Sequence, residues 1–562
     1  MSSTVAPPEL LPFDRTTRSY RLRWWVLGVL CLSLLVIIVD NSILNVALPH
    51  LQHDLDATFS QLQWMVDSYT LVFACLLLTA GSLGDRFGRK GALQFGMVVF
   101  GLGSLLSAFA TSPTQLIATR ALMGVGGAFI MPSTLSLITN VFPPEERGRA
   151  ISYWAAIAGV GVALGPVSGG LLLEHFYWGS IFLVNLPIVV VALAAGAYLL
   201  PKSKDPSHPR LDLVGAALSI VGLMSLVYGI IEGPTEGWTS TKILTAFGIA
   251  IVVLGAFALW ESRSSHPMLN LTVFENARFT AASLGLMLIF FAMFGATFLL
   301  TQYLQSIMGF SALKAGAALL PWAGVMLVVA PLSARLTERV GTKLVVGTGL
   351  SFATLSLLLM STLPAENISY VTDVLPRLFL LAIGMGLVMA PATESIMGSL
   401  PRAKAGVGSA MNDTTRQVGG ALGVAVVGSV MLSVYGGRVG NALTAAHVPV
   451  SADLVSQARQ NLSTALAIAT DKHVPIAVQH RLVTEINEAF VAGMHRGVLC
   501  AAAATLIGAI VVFRYLPARG VEVDNGPVPA TATPTVPAEP ASVNGLTDGG
   551  ATPVARELVP EP

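Results

Sequence analysis

Charged side chains are scarce in this chain. They make up 11% of its 562 residues, whereas 54% of the residues are hydrophobic and the mean hydropathy is +0.71. A soluble globular protein carries about 25% charged residues, so the composition excludes an ordinary soluble domain. A membrane-spanning helix needs roughly 20 mostly apolar residues, and this chain has enough apolar sequence for many such helices.

Other scarcities exclude further classes of protein. The net charge of +1 gives no basic surface for nucleic acid. The three cysteines, Cys31, Cys75 and Cys500, all lie within apolar runs, and their spacing fits neither a disulfide framework nor a zinc site. No phosphate-binding G-x-x-x-x-G-K-[ST] motif is present, which argues against an ATPase within the chain. We therefore expect no enzyme activity, no metal and no cofactor.

Long apolar segments predict an all-α polytopic membrane protein with fourteen transmembrane helices. The first segment, Trp24 to Ala47, is too long for a signal peptide and is interpreted as a retained span. Most Lys and Arg residues of the loops fall on the side of the membrane that holds the N-terminus. Because positive loops stay inside, both termini are expected in the cytoplasm.

A ten-residue loop occurs twice. Its first copy, Gly81-Ser-Leu-Gly-Asp-Arg-Phe-Gly-Arg-Lys90, joins two apolar segments by a tight charged turn. The second copy, Ala334-Arg-Leu-Thr-Glu-Arg-Val-Gly-Thr-Lys343, aligns with it without gaps, although Thr337 and Thr342 replace Gly84 and Arg89. Both copies follow a span that runs toward the cytoplasm. The repeat predicts two homologous halves, a plan known among transporters.

The repeat divides the chain into five regions. The expected regions are a cytoplasmic segment 1–20, a six-helix half 21–200, a two-helix linker 201–279, a second six-helix half 280–517 with a long external loop 433–494, and a disordered cytoplasmic tail 518–562.

Four motifs resemble one family. The loop 81–90 resembles the motif found throughout the major facilitator superfamily. Asp40-Asn-Ser-Ile-Leu-Asn-Val-Ala-Leu-Pro49 resembles the first-helix signature of its fourteen-span drug:proton antiporters, the EmrB/QacA type. Arg120-Ala-Leu-Met-Gly-Val-Gly-Gly127 and Gly159-Val-Gly-Val-Ala-Leu-Gly-Pro-Val-Ser-Gly-Gly170 resemble motifs of its fourth and fifth helices. The resemblance implies a major facilitator fold and export by antiport.

Three charges of the first half are expected at one depth in the membrane: Asp40, Asp67 and Arg120. A charge at membrane depth is costly and indicates function. A carboxyl group that moves between a desolvated place and the neighbourhood of an arginine changes its affinity for protons. We expect Asp40 and Asp67 to take part in proton coupling and Arg120 to tune them. The alternative is a structural ion pair for Asp40 and Arg120, with Asp67 in contact with interfacial water.

Two larger sets of residues complete the predicted site. The substrate-binding candidates are polar, aromatic or charged residues within spans: Asp40, Asn41, Asn45, Trp64, Tyr69, Gln302, Asp413 and Arg416. Asp413 and Arg416 are three residues apart and can also simply pair on one helix face. The conformational switch is predicted from the loop and from the Gly-Pro motif, and the family resemblance implies that Asp85 and Arg89 latch the halves together: Gly81, Gly84, Asp85, Arg86, Gly88, Arg89, Gly161, Gly165, Pro166, Gly169 and Gly170. The small face of the Gly-Pro motif is expected to form a sliding contact between the halves.

The predicted function is proton-coupled export of amphipathic, cationic drugs or toxic compounds across a bacterial cytoplasmic membrane. Aromatic side chains with one or two acids suit lipophilic cations. The alternative on the same scaffold is a dedicated proton-driven exporter of one metabolite, lipid or siderophore, because fold does not decide substrate. A membrane channel or scaffold accounts less well for the duplicated loop. The expected partners are small molecules, protons and the lipid bilayer, and an accessory or envelope partner stays open.

Overall fold

The computed structural model describes residues 18–203, 212–264, 267, 271–399, 405–446, 451–471 and 474–518. Most of the predicted segment 1–20 and almost all of the predicted tail 518–562 therefore lie outside the described residues, and so does the side chain of Asp85. The described chain is almost entirely helical.

Fourteen long helices follow one another in the described part of the chain. They are α1 (Arg23–Asp54), α2 (Phe59–Phe87), α3 (Arg89–Ala108), α4 (Pro113–Val141), α5 (Pro144–His175), α6 (Asn185–Leu199), α7 (Leu213–Glu236), α8 (Thr241–Arg263), α9 (Ala277–Gln302), α10 (Leu320–Val340), α11 (Thr342–Met360), α12 (Leu375–Gly398), α13 (Ala405–Ala445) and α14 (Ile476–Tyr515). Short helices precede α6 (Ser180–Leu183) and α10 (Ala312–Ala317), and two more, Ala452–Ala458 and Leu462–Ala469, lie between α13 and α14.

Twelve helical segments of the described residues are long and apolar enough to cross a membrane. The two long helices outside this group are α2 and α5, with 29 and 32 residues. The exact count of fourteen spans therefore stays a prediction. Large apolar side chains on the outside of the bundle, such as Trp25, Tyr198 and Ile251, are more than two thirds exposed, as expected of surfaces that contact lipid.

Helix ends are set by local sequence. Thr58 and Gln61 form a reciprocal capping box at the start of α2. Gly88 has a φ of +127° and joins α2 to α3 without an intervening loop, and Gly341 has a φ of +92° and joins α10 to α11 in the same way. Such backbone conformations favour glycine because it has no Cβ atom. The two glycines occupy the same position of the duplicated ten-residue loop.

The two halves have matching internal contacts. In the first half α1 packs on α5 and α6, and α4 packs on α2 and α3; in the second, α9 packs on α13 and α14, and α12 packs on α10 and α11. The amide of Arg89 donates to Ser203 O at 2.8 Å, and the amide of the equivalent Thr342 donates to Ala518 O at 3.0 Å. Each loop copy thus contacts the segment after the sixth helix of its own half, as a duplication predicts.

The halves meet through two main contacts. Helix α2 packs on α13, and α5 packs on the short helix before α10. We call the end of the bundle with Gly88 and Gly341 the Gly88 end, and the opposite end the Gln460 end. The described hydrogen bonds between the halves lie toward the Gln460 end, among them Gln305 Nε2 to Val46 O at 2.8 Å and the amide of Phe59 to Gln460 O at 2.8 Å.

The glycine face of α5 corrects one expectation. Gly161, Gly165 and Gly169 pack against α1 of the same half, where a Cβ atom on each would meet Ile38, Ser42 and Ile43 respectively. They do not form the contact between the halves. That contact lies on a neighbouring stripe of α5, formed by Pro166 and Gly170 against Gly316 and Leu313. The four-residue spacing selects one helix face but does not say which neighbour it faces.

Candidate functional site

A buried ion pair lies inside the first half. Arg120 of α4 donates from Nη1 to Asp40 Oδ2 of α1, and the side chains are 1% and 0% exposed. The other carboxylate oxygen, Oδ1, accepts from Asn185 Nδ2 of α6 at 2.9 Å. Asn185 Nδ2 also lies 3.1 Å from Ser104 Oγ, which donates to Phe182 O. The carboxylate of Asp40 thus joins α1 to α4 and α6, and Asn185 extends the network to Ser104 of α3.

Arg120 is held by more than Asp40. Its Nε donates to Met65 O of α2 at 3.2 Å, and its guanidinium lies 4.4 Å from the centre of the Tyr69 ring. Gly124, one turn further along α4, allows the close approach of α2, because a Cβ atom there would lie 2.6 Å from Tyr69 O. The R-x-x-x-G spacing therefore places the arginine and the helix contact on the same side of α4.

Asp67 lies apart from this pair. It is 0% exposed, and neither of its carboxyl oxygens has a hydrogen-bond partner among the described residues. Along α2, Gln63 and Leu71 lie one turn before and one turn after Asp67 on the same face, and both contact α13. Tyr69, two residues on, points to Arg120 instead. The sequence predicts one membrane depth for Asp40, Asp67 and Arg120. In the structure only Asp40 and Arg120 are bonded to each other.

The second half has its own polar cluster. Asp413 and Arg416 of α13 pair at 3.7 Å and are 17% and 19% exposed, so the predicted pairing on one helix face is confirmed. Arg416 Nη2 donates to Thr393 Oγ1 at 2.9 Å, and Thr393 Oγ1 lies 3.1 Å from Asn412 Oδ1. The guanidinium lies 5.5 Å from the centre of the Phe290 ring. This pair is more exposed than the ion pair of Asp40 and Arg120.

The remaining binding candidates are dispersed. Asn45 Nδ2 and Gln302 Nε2 each donate to a carbonyl of their own helix, at 3.2 and 2.9 Å, and Gln302 is buried. Asn41 is half-buried on α1. Trp64 faces the linker, where its Nε1 donates to Glu232 Oε1 of α7 at 2.9 Å. Asn45 is thus bonded to Asn41, another candidate of α1, whereas Trp64 is bonded to the linker.

The charged loop contacts its own half in this conformation. Arg89 Nη1 lies 3.5 Å from Ser203 Oγ, and Lys90 Nζ donates to Ala197 O at 2.7 Å. Gly84 packs on Ala92, because a Cβ atom at Gly84 would lie only 3.1 Å from Ala92 Cβ. The guanidinium of Arg86 lies 5.4 Å from the centre of the Phe87 ring. The described contacts neither form nor exclude a latch between the halves.

Sequence reasoning missed two functional candidates, Asn185 and Glu232. Both are polar side chains within otherwise apolar helices, Asn185 at the start of α6 and Glu232 near the end of α7. An uncharged polar group at membrane depth needs a partner, so Asn185 could have been selected by the same criterion as Asn41. Among the described residues, no group of three or more His, Cys, Asp or Glu side chains is placed to hold a metal ion.

Comparisons with known proteins agree with this architecture. The model of the Major Facilitator Superfamily matches residues 30–424. The multidrug efflux pump LfrA of Mycolicibacterium smegmatis is 35% identical over 500 residues, which covers 88% of this chain and 97% of that protein. The tetracenomycin C resistance and export protein of Streptomyces glaucescens is 32% identical, covering 87% of this chain and 90% of that protein.

Solved structures give the same fold. A bacterial homolog to the human lysosomal transporter Spinster, in an inward-facing and unoccupied conformation, has a TM-score of 0.59 and covers 89% of this chain and 98% of its own. It is 17% identical, so the likeness concerns the fold alone. With the family model matched over residues 30–424 and relatives matched over most of their length, the chain belongs to the Major Facilitator Superfamily of membrane transporters.

Proposed function

We propose that this protein exports amphipathic, cationic small molecules in exchange for protons by alternating access of its two halves. The observation that carries the proposal is the pair of buried acids on α1 and α2 in an otherwise apolar bundle: Asp40, joined to Arg120, and the unpartnered Asp67. Embedded acids of this kind are typical of proton relays in transporters. The relatives named for multidrug efflux and for antibiotic export support the same activity.

The proposed proton-coupling group consists of Asp40, Asp67 and Arg120. Substrate is proposed to contact the cavity side of the bundle through Asp413, Arg416 and the aromatic residues near them. The guanidinium of Arg416 lies over the face of the Phe290 ring. A cationic substrate is proposed to replace it there, because a cation binds the same face of an aromatic ring. Asp413, no longer paired with Arg416, then supplies a negative charge for the cationic substrate.

The site of action is proposed to be the bacterial cytoplasmic membrane, with both chain termini and the Gly88 end in the cytoplasm. This orientation follows from the positive loops. The loop residues 81–90 and the Gly-Pro stripe of α5 are proposed as the elements that change contacts between the two states. The division into halves 21–200 and 280–517, with a linker 201–279, is part of the same proposal.

A dedicated exporter of one compound is the second candidate. It is favoured by the relative from Streptomyces glaucescens, whose name refers to export of the single antibiotic tetracenomycin C. The two candidates differ in the number of compounds moved, and the fold is compatible with both.

A vesicle assay with a substrate panel tests the proposal. Purified protein in liposomes is given a pH gradient, and movement of ethidium, a second lipophilic cation, a neutral drug and an anionic drug is followed. We expect both cations to move against their gradients and a protonophore to stop this movement. Movement of one compound only would favour the dedicated exporter, and movement that persists with the protonophore would contradict proton drive.

A further inference from the structure

Asp67 occupies a dry site of its own. The side chain is 0% exposed, and both carboxyl oxygens lack a hydrogen-bond partner among the described residues. An ionised carboxylate without a partner is very costly in such surroundings, and the group takes up a proton instead. In this conformation the chemistry of the site therefore requires the neutral acid.

Three helices close the site. On one side, Gln63 Nε2 of α2 donates to the carbonyls of Val424 and Ala425 of α13, each at 3.0 Å. On the other side, Leu71 packs with Ala421 and Ala425. These contacts lie one turn to either side of Asp67, whose side chain is 0% exposed.

The linker helix α7 covers the seam between α2 and α13. Its Val227 and Ile231 are 0% exposed and pack on Leu71, Ala421 and Ala425. Its C-terminal end is bonded to both halves, because Ile230 O accepts from Ser429 Oγ of α13 at 2.7 Å and Glu232 accepts from Trp64 of α2. Helix α7 thus separates the seam from lipid.

Asp40 has the opposite surroundings. Arg120 and Asn185 occupy its two carboxylate oxygens, and the arginine balances its charge. These two hydrogen bonds hold the carboxylate between α4 and α6. Removing one partner of a buried ion pair leaves the other charge uncompensated.

We propose that Asp67 is the residue that takes up and releases the transported proton, that α7 seals it from lipid, and that Asp40 and Arg120 form a fixed ion pair. This inference rests on the proposed proton antiport. When the Gln460 end opens, the bonds of Gln63 to α13 break and water reaches the carboxylate. A proton from the outer water then bonds to one carboxylate oxygen. When the Gly88 end opens, this O–H bond breaks and the proton passes to cytoplasmic water.

Few charged groups face this site. Glu232 of α7 accepts from Trp64, which precedes Asp67 by three residues on α2 and so lies toward the Gln460 end. Asp413 and Arg416 of α13 lie further toward the Gly88 end and pair with each other. Arg120 contacts the opposite face of α2, through Met65 and Tyr69.

The test compares two assays on the same proteoliposomes. The first measures accumulation of ethidium driven by a pH gradient, and the second measures exchange of labelled for unlabelled ethidium without any gradient. Exchange needs no net proton movement. We expect Asp67→Asn to reduce driven accumulation to the level of empty liposomes while exchange stays near the wild-type rate and loses its dependence on pH. Asp67→Glu should restore driven accumulation with a displaced pH profile.

Asp56→Asn is the matched control, because Asp56 is an exposed acid at the corner before α2. It should leave both assays unchanged. Driven accumulation by Asp67→Asn would overturn the inference, and so would loss of exchange together with driven accumulation, which would indicate a structural role. Absence of driven accumulation by the wild-type protein would instead contradict the proposed antiport.

A charge-neutral double variant examines the fixed pair. Asp40→Asn combined with Arg120→Gln removes both buried charges together. If Asp67 is the proton carrier, ethidium exchange by the double variant stays dependent on pH, whatever its rate. Exchange that loses its dependence on pH in this variant would assign the proton to Asp40 and overturn the assignment to Asp67.

Discussion

Arg120 is the side chain on which the first half most depends. It balances the buried charge of Asp40 and also fixes α4 to α2 through Met65 O and the Tyr69 ring. Removing one partner of a buried ion pair is far more harmful than removing both, because the remaining charge stays desolvated.

This difference can be measured as stability in detergent. We expect Arg120→Ala to destabilise the protein by about 3–5 kcal/mol, seen as a lowered midpoint of thermal unfolding. Asp40→Asn combined with Arg120→Gln should be markedly less destabilised than Arg120→Ala. Equal midpoints for the two variants would show that Asp40 is not left with an uncompensated charge.

At this scale the sequence predicts the residue types but not their orientation. The ion pair of Asp40 and Arg120 was one of the alternatives that the sequence offered, because opposite charges at one depth of an apolar bundle stabilise each other. Asp67 could not be separated from them, because its direction depends on rotation about the α2 axis. Asp67 and Tyr69 are about 200° apart around that axis at 3.6 residues per turn, so they face different helices.

The contact between α1 and α5 is the clearest case at the scale of helices. Gly165 leaves so little room that a Cβ atom would collide with Ser42, and Val39 O lies 3.0 Å from the same position. Ser42 Oγ also approaches Gly161 O at 3.4 Å. The small residues therefore hold two helices of one half together rather than guiding motion between halves.

A matched pair of substitutions tests this interpretation. Gly165→Leu should destabilise the first half by about 1–3 kcal/mol or more, lowering both the unfolding midpoint and transport. Gly28→Leu is the control, because nothing lies within 4 Å of a Cβ atom at Gly28 on α1. A Gly165→Leu variant with normal stability that nevertheless fails to transport would indicate that the glycine face of α5 takes part in motion.

Helix existence was predictable from apolar length, and helix partners were not. The Gly-Pro motif indicates a helix with a small face, but Gly165 and Gly170 contact different halves although they are five residues apart. Helices α2 and α5 carry family motifs and polar residues, and they are not among the twelve segments that are apolar enough to cross a membrane. Their assignment as spans therefore stays a prediction from the sequence.

At the scale of the whole molecule, the two copies of the duplicated loop have matching local structure. Gly88 and Gly341 both have a positive φ, and the residues after them bond to equivalent segments of their own halves. Ten residues of repeat could thus be extended to two six-helix units.

The conformation of the whole molecule was not predictable from the repeat. Asn461 Nδ2 donates to Ala57 O at 3.2 Å, so the segment between α13 and α14 contacts the first half at the Gln460 end. Such contacts depend on the free-energy difference between two arrangements of the same halves, which sequence periodicity does not report. The latch proposed for the loop at the Gly88 end would likewise depend on the state.

Proton movement driven by substrate tests the central claim most directly. Proteoliposomes with a trapped pH-sensitive dye and no initial pH gradient receive an outward or an inward gradient of ethidium. Antiport predicts that protons move opposite to ethidium in both cases, in a fixed ratio, and that Asp67→Asn abolishes the proton signal. Ethidium movement by the wild-type protein without any proton signal would contradict the account.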